Sequence, residues 1–254
     1  MKDHNQNLAS AFDGQAAQFE RAPVQTDPMA LARLVAFSRF PENAYLLDAG
    51  CGPGLVSEAF LKAARRVFGV DLSHEMITRA RRRGGDFEGR ARFEQASLFD
   101  AIVEEAGPFD GAVSRYVLHH VADPIDFVSR QVALLKRDGI LVLSDHTTDA
   151  DPALAERHQR LEWSRDTTHT RNLTAGAIVD LFAKVGLLDI ESTEEAFTLD
   201  FDEWFDRGTP GVSKGELRQA VLETPRPRGF RASELDDGRV VIDCFRAIVR
   251  GVKG

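Results

Sequence analysis

A glycine-rich turn and a later acidic residue are the features of this chain best suited to binding chemistry. Residues 46–54 read Leu-Leu-Asp-Ala-Gly-Cys-Gly-Pro-Gly, an apolar strand that runs into the turn. A second apolar stretch, residues 67–70, ends in Asp71. Glycines let a ligand approach the backbone closely, and a carboxylate at a strand end offers two oxygens to a ribose diol. The two stretches predict a ligand that contains a nucleoside.

The spacing of the glycines and one nearby charge distinguish between two such ligands. A dinucleotide fingerprint, Gly-x-Gly-x-x-Gly, would place its third glycine at position 55, which is Leu55. Asp48, just ahead of the turn, would repel a pyrophosphate but suits an ammonium group. S-adenosylmethionine carries an ammonium, a sulfonium and a ribose, and no phosphate. The sequence therefore favours S-adenosylmethionine over NAD, and an NAD-linked oxidoreductase stays as the weaker alternative.

The same residues carry a family resemblance. The turn, together with Asp71-Leu72-Ser73, resembles class I S-adenosylmethionine-dependent methyltransferases. Residues 109–114 resemble the fourth strand of that family, and residues 134–143 resemble the approach to its fifth strand. Residues 115–121, Arg-Tyr-Val-Leu-His-His-Val, are similar to the branch related to ubiquinone and menaquinone biosynthesis methyltransferases. The resemblance covers roughly residues 10–190 and is thin over 196–238.

Alternating strands and helices must position these residues. Apolar strands are predicted at about 45–49, 66–70, 91–95, 110–114, 140–143, 187–191 and 239–249, with helices between most of them. This alternation indicates a parallel sheet with helices on both faces. With the resemblance, it implies an α/β, Rossmann-like, seven-stranded and mostly parallel sheet whose last strand is antiparallel.

The ends of the chain suggest additions to this domain. Residues 7–20 have apolar side chains at helical spacing, and Pro28 starts a further helix. We predict N-terminal lid helices over residues 1–40 and a methyltransferase domain over 41–254. Within that domain, residues 151–172 and about 197–235 are predicted as insertions that form a cap on the substrate side.

Ligands of open α/β sheets bind beyond the carboxyl ends of the strands, and this rule selects the cofactor-binding residues. Asp48 is expected near the methionine ammonium, the turn is expected to supply backbone, and Asp71 is expected to hold the ribose. The remaining candidates flank the adenine or, at the end of strand four, meet the methionine moiety. The full predicted set is Asp48, Gly50, Cys51, Gly52, Asp71, Leu72, Met76, Ser97, Leu98 and Arg115.

Methyl transfer needs a base only if the acceptor must lose a proton. His119, His120 and His146 follow strands four and five at the cofactor edge. In similar small-molecule O-methyltransferases a His after strand four works with an acid after strand five, and His119 with Asp145 matches that arrangement. The predicted catalytic residues are His119, His120 and Asp145. In similar quinone C-methyltransferases the acceptor carbon is already nucleophilic, so the acceptor atom (C, N or O) stays open.

Acceptor-binding residues are predicted from the polar stretch at 162–171, the N-terminal helix and the cap. A salt-bridged hinge that never contacts substrate is the alternative for this stretch. The predicted set is Phe19, Tyr116, His146, Arg165, His169 and Trp204.

Composition excludes several partners. The chain has 254 residues and a net charge of −8, which disfavours nucleic acid because phosphate binding requires a basic face. The basic run Arg81–Arg83 is expected to be the solvated end of a helix. The chain has only two cysteines, which predicts a reducing compartment, the cytoplasm. It has no apolar run of membrane-spanning length and no His/Cys cluster with metal-ligand spacing, so we predict no membrane contact and no metal. We expect a monomer or homodimer that acts on a small molecule. Other chemistry with the same cofactor, or a non-catalytic binding module, are the remaining alternatives.

Overall fold

A computed structural model describes the backbone of residues 2–63 and 65–254, and side chains within residues 4–63 and 65–254. Met1 and Ala64, which fall in the predicted ranges 1–40 and 41–254, lie outside the described residues. Eleven α-helices are described: α1 Lys2–Phe19, α2 Pro23–Thr26, α3 Pro28–Ser38, α4 Leu55–Lys62, α5 His74–Gly84, α6 Ala101–Ala106, α7 Pro124–Ala133, α8 Pro152–Arg165, α9 Ala175–Lys184, α10 Phe201–Asp206 and α11 Lys214–Leu222. Eight strands are described: β1 Tyr45–Ala49, β2 Arg66–Asp71, β3 Ala91–Gln95, β4 Phe109–Arg115, β5 Leu135–His146, β6 Leu187–Asp200, β7 Arg231–Glu234 and β8 Val240–Lys253.

The strands form one sheet in the order β3-β2-β1-β4-β5-β8-β6, and β7 pairs with β8 beside this path. Neighbours from β3 to β5 are parallel, whereas β8 is antiparallel to both β5 and β6. The predicted Rossmann-like fold with an antiparallel last strand is confirmed. The structure adds β7, a short strand inside the range 197–235.

Both faces of the sheet are buried, as parallel strands require. On one face, Phe68, Phe109 and Leu141 pack in a core that includes Phe182 of α9. On the other face, side chains of α3 and α4 cover the sheet. The inner strands β1, β2 and β4 are largely apolar for this reason, which is why their positions could be predicted closely.

Strands β6 and β8 extend well beyond the rest of the sheet. Their pairing runs from Leu187 with Lys253 to Asp200 with Val241, and the far half of β8 also pairs with β7. Helices α10 and α11 pack on this extension and share a separate apolar core with it, centred on Phe201, Trp204 and Phe230. We call residues 201–235 the cap.

Helix α1 lies across the carboxyl edge of the sheet and is fastened to α5. The carboxylate of Glu20, next to α1, forms ion pairs with Arg79, Arg82 and Arg83. At the other end of α5, Asp13 accepts hydrogen bonds from the Ser73 hydroxyl (2.6 Å) and the Glu75 backbone (3.1 Å). The basic run Arg81–Arg83 was predicted to be the solvated end of a helix, and it does end α5. Two of its residues, Arg82 and Arg83, also form ion pairs with Glu20 and so attach the N-terminal segment to α5. Local sequence could not reveal this partner, because Glu20 is distant in the chain.

Among the residues described, none of the helices combines the length and the apolar character needed to cross a membrane.

Candidate active site

The glycine turn joins β1 to α4 in a conformation that only glycine adopts readily. Gly50, Gly52 and Gly54 all have positive φ, at 75°, 52° and 82°. A Cβ on Gly50 would also come within 2.5 Å of the Val117 side chain. The turn therefore brings bare backbone to the carboxyl edge of the sheet, where a ligand can approach it.

Two carboxylates flank the turn in different environments. Asp71 accepts hydrogen bonds from the backbone of Gly52 and of Ser73, both at 2.9 Å, so it ties the turn to the start of α5. Asp48 is 1% exposed and accepts one hydrogen bond, from the Ser57 hydroxyl at 2.6 Å. Burial raises the pKa of Asp48 to about 7, with a further contribution from the charge of Asp71. A buried carboxylate with spare acceptor capacity is suited to a cationic ligand.

All ten residues predicted to bind the cofactor line one cavity of about 220 Å³. The cavity runs along the carboxyl ends of β3, β2, β1 and β4, and α1 covers it with His4, Asn5, Leu8, Phe12 and Phe19. Of these, only Phe19 was among the predicted site residues. Phe99 and Val117 also line the cavity. Phe99 is exposed although it is a large aromatic residue, and it lies just beyond β3. An aromatic residue at this position in the sequence was a signal that could have identified it. The assignment of these residues to a cofactor stays a prediction.

Arg115 lines the same cavity but its side chain turns to the N-terminal segment. Its guanidinium donates to the backbone carbonyls of Val24 (2.8 Å) and Gln25 (3.0 Å) and lies 4.5 Å from the centre of the Tyr116 ring. The residue therefore fixes α2 to the end of β4, a role beyond the backbone contact predicted for it.

The predicted pair His119 and Asp145 is formed. Nδ1 of His119 donates to Oδ1 of Asp145 at 2.6 Å, and the backbone of His119 donates to Oδ2 at 3.2 Å. The backbone of His146 donates to Oδ1 at 2.7 Å. Burial acts to lower the pKa of His119, but the charge and hydrogen bond of Asp145 outweigh it and raise that pKa. Nε2 of His119 has no hydrogen bond with any described residue, so it is free to accept a proton.

The adjacent histidine packs against His119 on the cavity side. His120 lines the cavity, packs edge-on against Phe12, and donates from Nδ1 to the carbonyl oxygen of Thr168 at 3.2 Å. Burial and the neighbouring His119 lower the pKa of His120 to about 3. His120 is therefore neutral and a weak base, whereas His119 is the stronger base but stands one side chain behind the cavity wall, 4.2 Å from His120 between ring centres.

The six predicted acceptor-binding residues divide into three pairs. Phe19 and Tyr116 line the cavity. His146 and His169 lie behind it, each with its ring centre 5.5 Å from that of His119. The other two, Arg165 and Trp204, face each other, with the guanidinium 5.2 Å from the indole centre; Trp204 belongs to the core of the cap rather than to the cavity. We call the layer formed by His119, Asp145, His146, Glu162, Arg165 and His169 the polar layer.

Tyr116 connects the cavity with the polar layer. Its φ of 59° lies in the left-handed region, which is strained for an aromatic residue. Its hydroxyl accepts a hydrogen bond from Arg246 at 2.8 Å, and its ring centre lies 4.5 Å from that of His146. Arg246 was not predicted, and nothing in the local sequence of β8 distinguishes it.

The described side chains include no grouping of three or more His, Cys, Asp or Glu residues that could hold a metal ion.

Comparison with known proteins identifies the family. Residues 25–192 match the family model of the methyltransferase domain. The uncharacterized methyltransferase YcgJ of Bacillus subtilis is 28% identical over 218 residues, 82% of this chain and 84% of that protein. The ubiquinone biosynthesis O-methyltransferase of Xanthomonas campestris pv. campestris (strain B100) is 33% identical over 127 residues, 50% of this chain and 52% of the relative.

The crystal structure of YcgJ superimposes with a TM-score of 0.76 at 23% identity, covering 89% of this chain and 98% of that one, which supports the fold. The family match spans more than half of the chain and coincides with the glycine turn, Asp48 and Asp71. The chain therefore belongs to the methyltransferase domain family and is an S-adenosylmethionine-dependent methyltransferase.

Proposed function

We propose that this methyltransferase acts on a hydroxyl oxygen of a small molecule, with His119 as general base and Asp145 as its positioning residue. The observation that carries the proposal is the 2.6 Å hydrogen bond between His119 Nδ1 and Asp145 Oδ1 at the ends of β4 and β5. It fixes the tautomer that leaves Nε2 without a proton. A general base with a raised pKa is useful only where the acceptor must lose a proton, as a hydroxyl group does.

The cavity residues fit S-adenosylmethionine. Asp48 would hold the ammonium group, since its buried carboxylate accepts only one hydrogen bond among the residues described. Asp71 would receive the ribose hydroxyls, and the backbone of Gly50–Gly52 would approach the nucleoside. The bound cofactor supplies an electrophilic methyl group, which passes to the acceptor oxygen as the sulfur–carbon bond breaks.

The chain's own residues would manage the proton. Nε2 of His119 takes the hydroxyl proton as the oxygen–carbon bond forms, and Asp145 stabilises the resulting imidazolium through Nδ1. His120 lines the cavity beside this base, stays neutral because of its low pKa and does not compete for the proton. To reach Nε2 of His119, the acceptor hydroxyl would extend from the cavity past Tyr116 into the polar layer, and the proton leaves to solvent once the product departs.

Residues 1–40 would act as a lid and the cap would close the acceptor side. Five side chains of α1 line the cavity, so this helix excludes water from the reacting groups while it is fastened to α5. The Xanthomonas relative is an O-methyltransferase, which agrees with oxygen as the acceptor atom. A cytoplasmic location and a monomeric or homodimeric state stay predictions from the sequence.

Substitution of the proposed base tests the proposal. The acceptor probes are catechol, 3,4-dihydroxybenzoate and pyrogallol, and formation of S-adenosylhomocysteine with the site of methylation is the readout. We expect His119→Gln to lower kcat by about 10²- to 10⁴-fold, while the Kd for S-adenosylhomocysteine stays unchanged. The control is His74→Gln, because His74 has a side chain that is 66% exposed. Wild-type turnover in His119→Gln, or methylation of these probes at a ring carbon instead of a hydroxyl oxygen, would refute the proposal.

A further inference from the structure

A groove runs along α1 on a different face from the one that covers the cavity. Its volume is about 710 Å³, which is within the range of ligand clefts, about 300–1,000 Å³. Thr167 and Thr168 in the loop after α8 and Thr209 in the cap supply its other side. The residues that α1 contributes recur at the three- and four-residue spacing of a single helix face: Asn7, Ser10, Ala11, Gly14, Gln15 and Gln18.

The lining of the groove is polar and nearly uncharged. Among the described residues that line it, none is lysine or arginine, and its one carboxylate, Asp206, is paired with Lys214 at 2.7 Å. Asn7, Ser10 and Gln18 are exposed, so their amide and hydroxyl groups are available to a ligand. Such a lining suits an uncharged ligand with hydroxyl groups, because a hydroxyl group both donates and accepts hydrogen bonds.

Gln15 lies at the floor of the groove and is 6% exposed. Its amide nitrogen donates to the Thr209 hydroxyl at 2.7 Å, which joins α1 to the cap. Its amide oxygen is buried and has no hydrogen-bond partner among the described residues. Buried polar atoms without a partner are uncommon in folded proteins, and a hydroxyl group of a bound ligand would supply the missing donor. The neighbouring Gly14 leaves space, because a Cβ at this position would meet nothing within 4 Å.

The groove adjoins the end of the cavity where the proposed base lies. His4 lines both the groove and the cavity, and its Nε2 donates to the backbone carbonyl oxygen of His120 at 2.8 Å. Thr168 lines the groove, and its carbonyl oxygen accepts the hydrogen bond from Nδ1 of His120. The next residue in the chain, His169, belongs to the polar layer. A molecule bound at this end of the cavity can therefore extend past His4 into the groove.

We infer that the groove binds an uncharged, hydroxyl-rich part of the methyl acceptor, a sugar or another polyol. The acceptor is then a conjugate, with the end to be methylated at the polar layer and the hydroxylated end between α1 and the cap. Its hydroxyl groups donate to the amide oxygen of Gln15 and accept from the amide groups of Asn7 and Gln18. The inference rests on the proposed function, because the same molecule must also present a hydroxyl group to His119.

Binding measurements on the protein saturated with S-adenosylhomocysteine test this site without turnover. The probes are hydroquinone, its β-D-glucoside and β-D-galactoside, and 4-(cyclohexyloxy)phenol, whose second ring is similar in size to a sugar but has no hydroxyl groups. Calorimetry gives the Kd of each probe. We expect at least one glycoside to bind about 10-fold more tightly than both hydroquinone and the cyclohexyl ether, since two or three net hydrogen bonds give a factor of this size.

Substitutions on the groove face of α1 locate the site. Gly14→Phe should fill the groove and abolish the preference for glycosides, while hydroquinone binds as it does to wild type. Gly14→Ala adds a single methyl group and should lose less of the preference. Gln15→Met removes the amide at the floor with little change in volume, and it should weaken glycoside binding several-fold. Gln6→Met is the matched control, the same change at an exposed position of α1 that lines neither the groove nor the cavity.

Two results would overturn the inference: glycosides that bind no more tightly than hydroquinone or the cyclohexyl ether, or a Gly14→Phe variant that keeps the preference. An unchanged Kd for S-adenosylhomocysteine shows that each variant is folded. The measurements also separate this inference from the proposed function. If His119→Gln retains turnover while Gly14→Phe loses the preference for glycosides, the base is wrong and the polyol site stands. If His119→Gln loses turnover but glycosides are not preferred, the base stands and the polyol site falls.

Discussion

The cofactor cavity and the polar layer behind it are neighbours at the same edge of the sheet, but they are built differently. Most of the predicted cofactor-binding residues in the cavity end or directly follow strands β1 to β4, so a strand places each of them. The polar layer is assembled from β4, β5 and α8 and the loop after α8, and it borders α10 and β8. Asp48 has one side-chain partner, whereas Asp145 has three donors.

This difference in hydrogen bonding indicates two different roles for the two carboxylates. Asp48 accepts a single hydrogen bond, so it can still bind a cationic group of a ligand. Asp145 accepts three hydrogen bonds from protein groups, so it is suited to fixing the position of His119. Binding and proton transfer should therefore respond to different substitutions, although the residues concerned lie a few ångströms apart.

The largest effect is expected in the polar layer. Asp145→Asn removes the negative charge that raises the pKa of His119, so the imidazole becomes a weaker base and loses its fixed tautomer. We expect kcat to fall by about 10²- to 10⁴-fold with catechol as acceptor, with unchanged affinity for S-adenosylhomocysteine. Asp180→Asn, at an exposed position of α9, is the matched control. Equal losses of kcat and cofactor affinity would show that the two regions are not separable.

The converse substitution is Asp71→Ala in the cavity. It removes an expected charge-assisted hydrogen bond to the ribose, worth about 1.5–3 kcal/mol. Calorimetry should show affinity for S-adenosylmethionine about 10- to 100-fold weaker, with little change in kcat at saturating cofactor. Asp86→Ala serves as the control because Asp86 is exposed. Wild-type affinity would exclude Asp71 from ribose binding.

The two regions should also titrate differently. The carboxylate form of Asp48 is needed to bind an ammonium group, and its pKa is about 7. Below that pH, affinity for S-adenosylmethionine should weaken by about 10-fold per pH unit, since the ionised fraction falls by that factor. Asp48→Asn should remove this dependence. At saturating cofactor, kcat should instead rise with pH through the pKa of His119, which the charge and hydrogen bond of Asp145 raise above its ordinary value. One shared profile for Kd and kcat would contradict the separation.

The smallest effect concerns the fastening of α1. Glu20→Gln weakens three ion pairs with α5, each worth about 0.2–1 kcal/mol at a partly exposed site. We expect S-adenosylhomocysteine to dissociate a few times faster in stopped-flow experiments, with the difference shrinking at high salt because salt screens the pairs in wild type. Glu88→Gln, at an exposed position, should match wild type. An unchanged rate would mean that α1 does not limit release.

The sequence predicted the cavity better than the polar layer, for physical reasons. A parallel strand buried on both faces is apolar, so its end is easy to locate and the residue after it falls at the binding edge. This logic found Asp48 and Asp71 and also His119. Arg246 comes from a strand whose position depends on long-range packing, and no local pattern marks it. The far half of β6 was missed because an edge strand carries charged residues and resembles a loop.

The long pairing of β6 with β8 limits how the acceptor specificity of this protein can be exchanged. The cap sits on the same two strands that complete the sheet, and their register is continuous from Val249 with Ser192 to Val241 with Asp200. A cap from a relative, grafted at residues 201–235, would inherit its orientation from that register, and a slip of one residue would turn every side chain of the graft's strand to the opposite face. Recombination at this site should therefore succeed only between parents whose strands match in length.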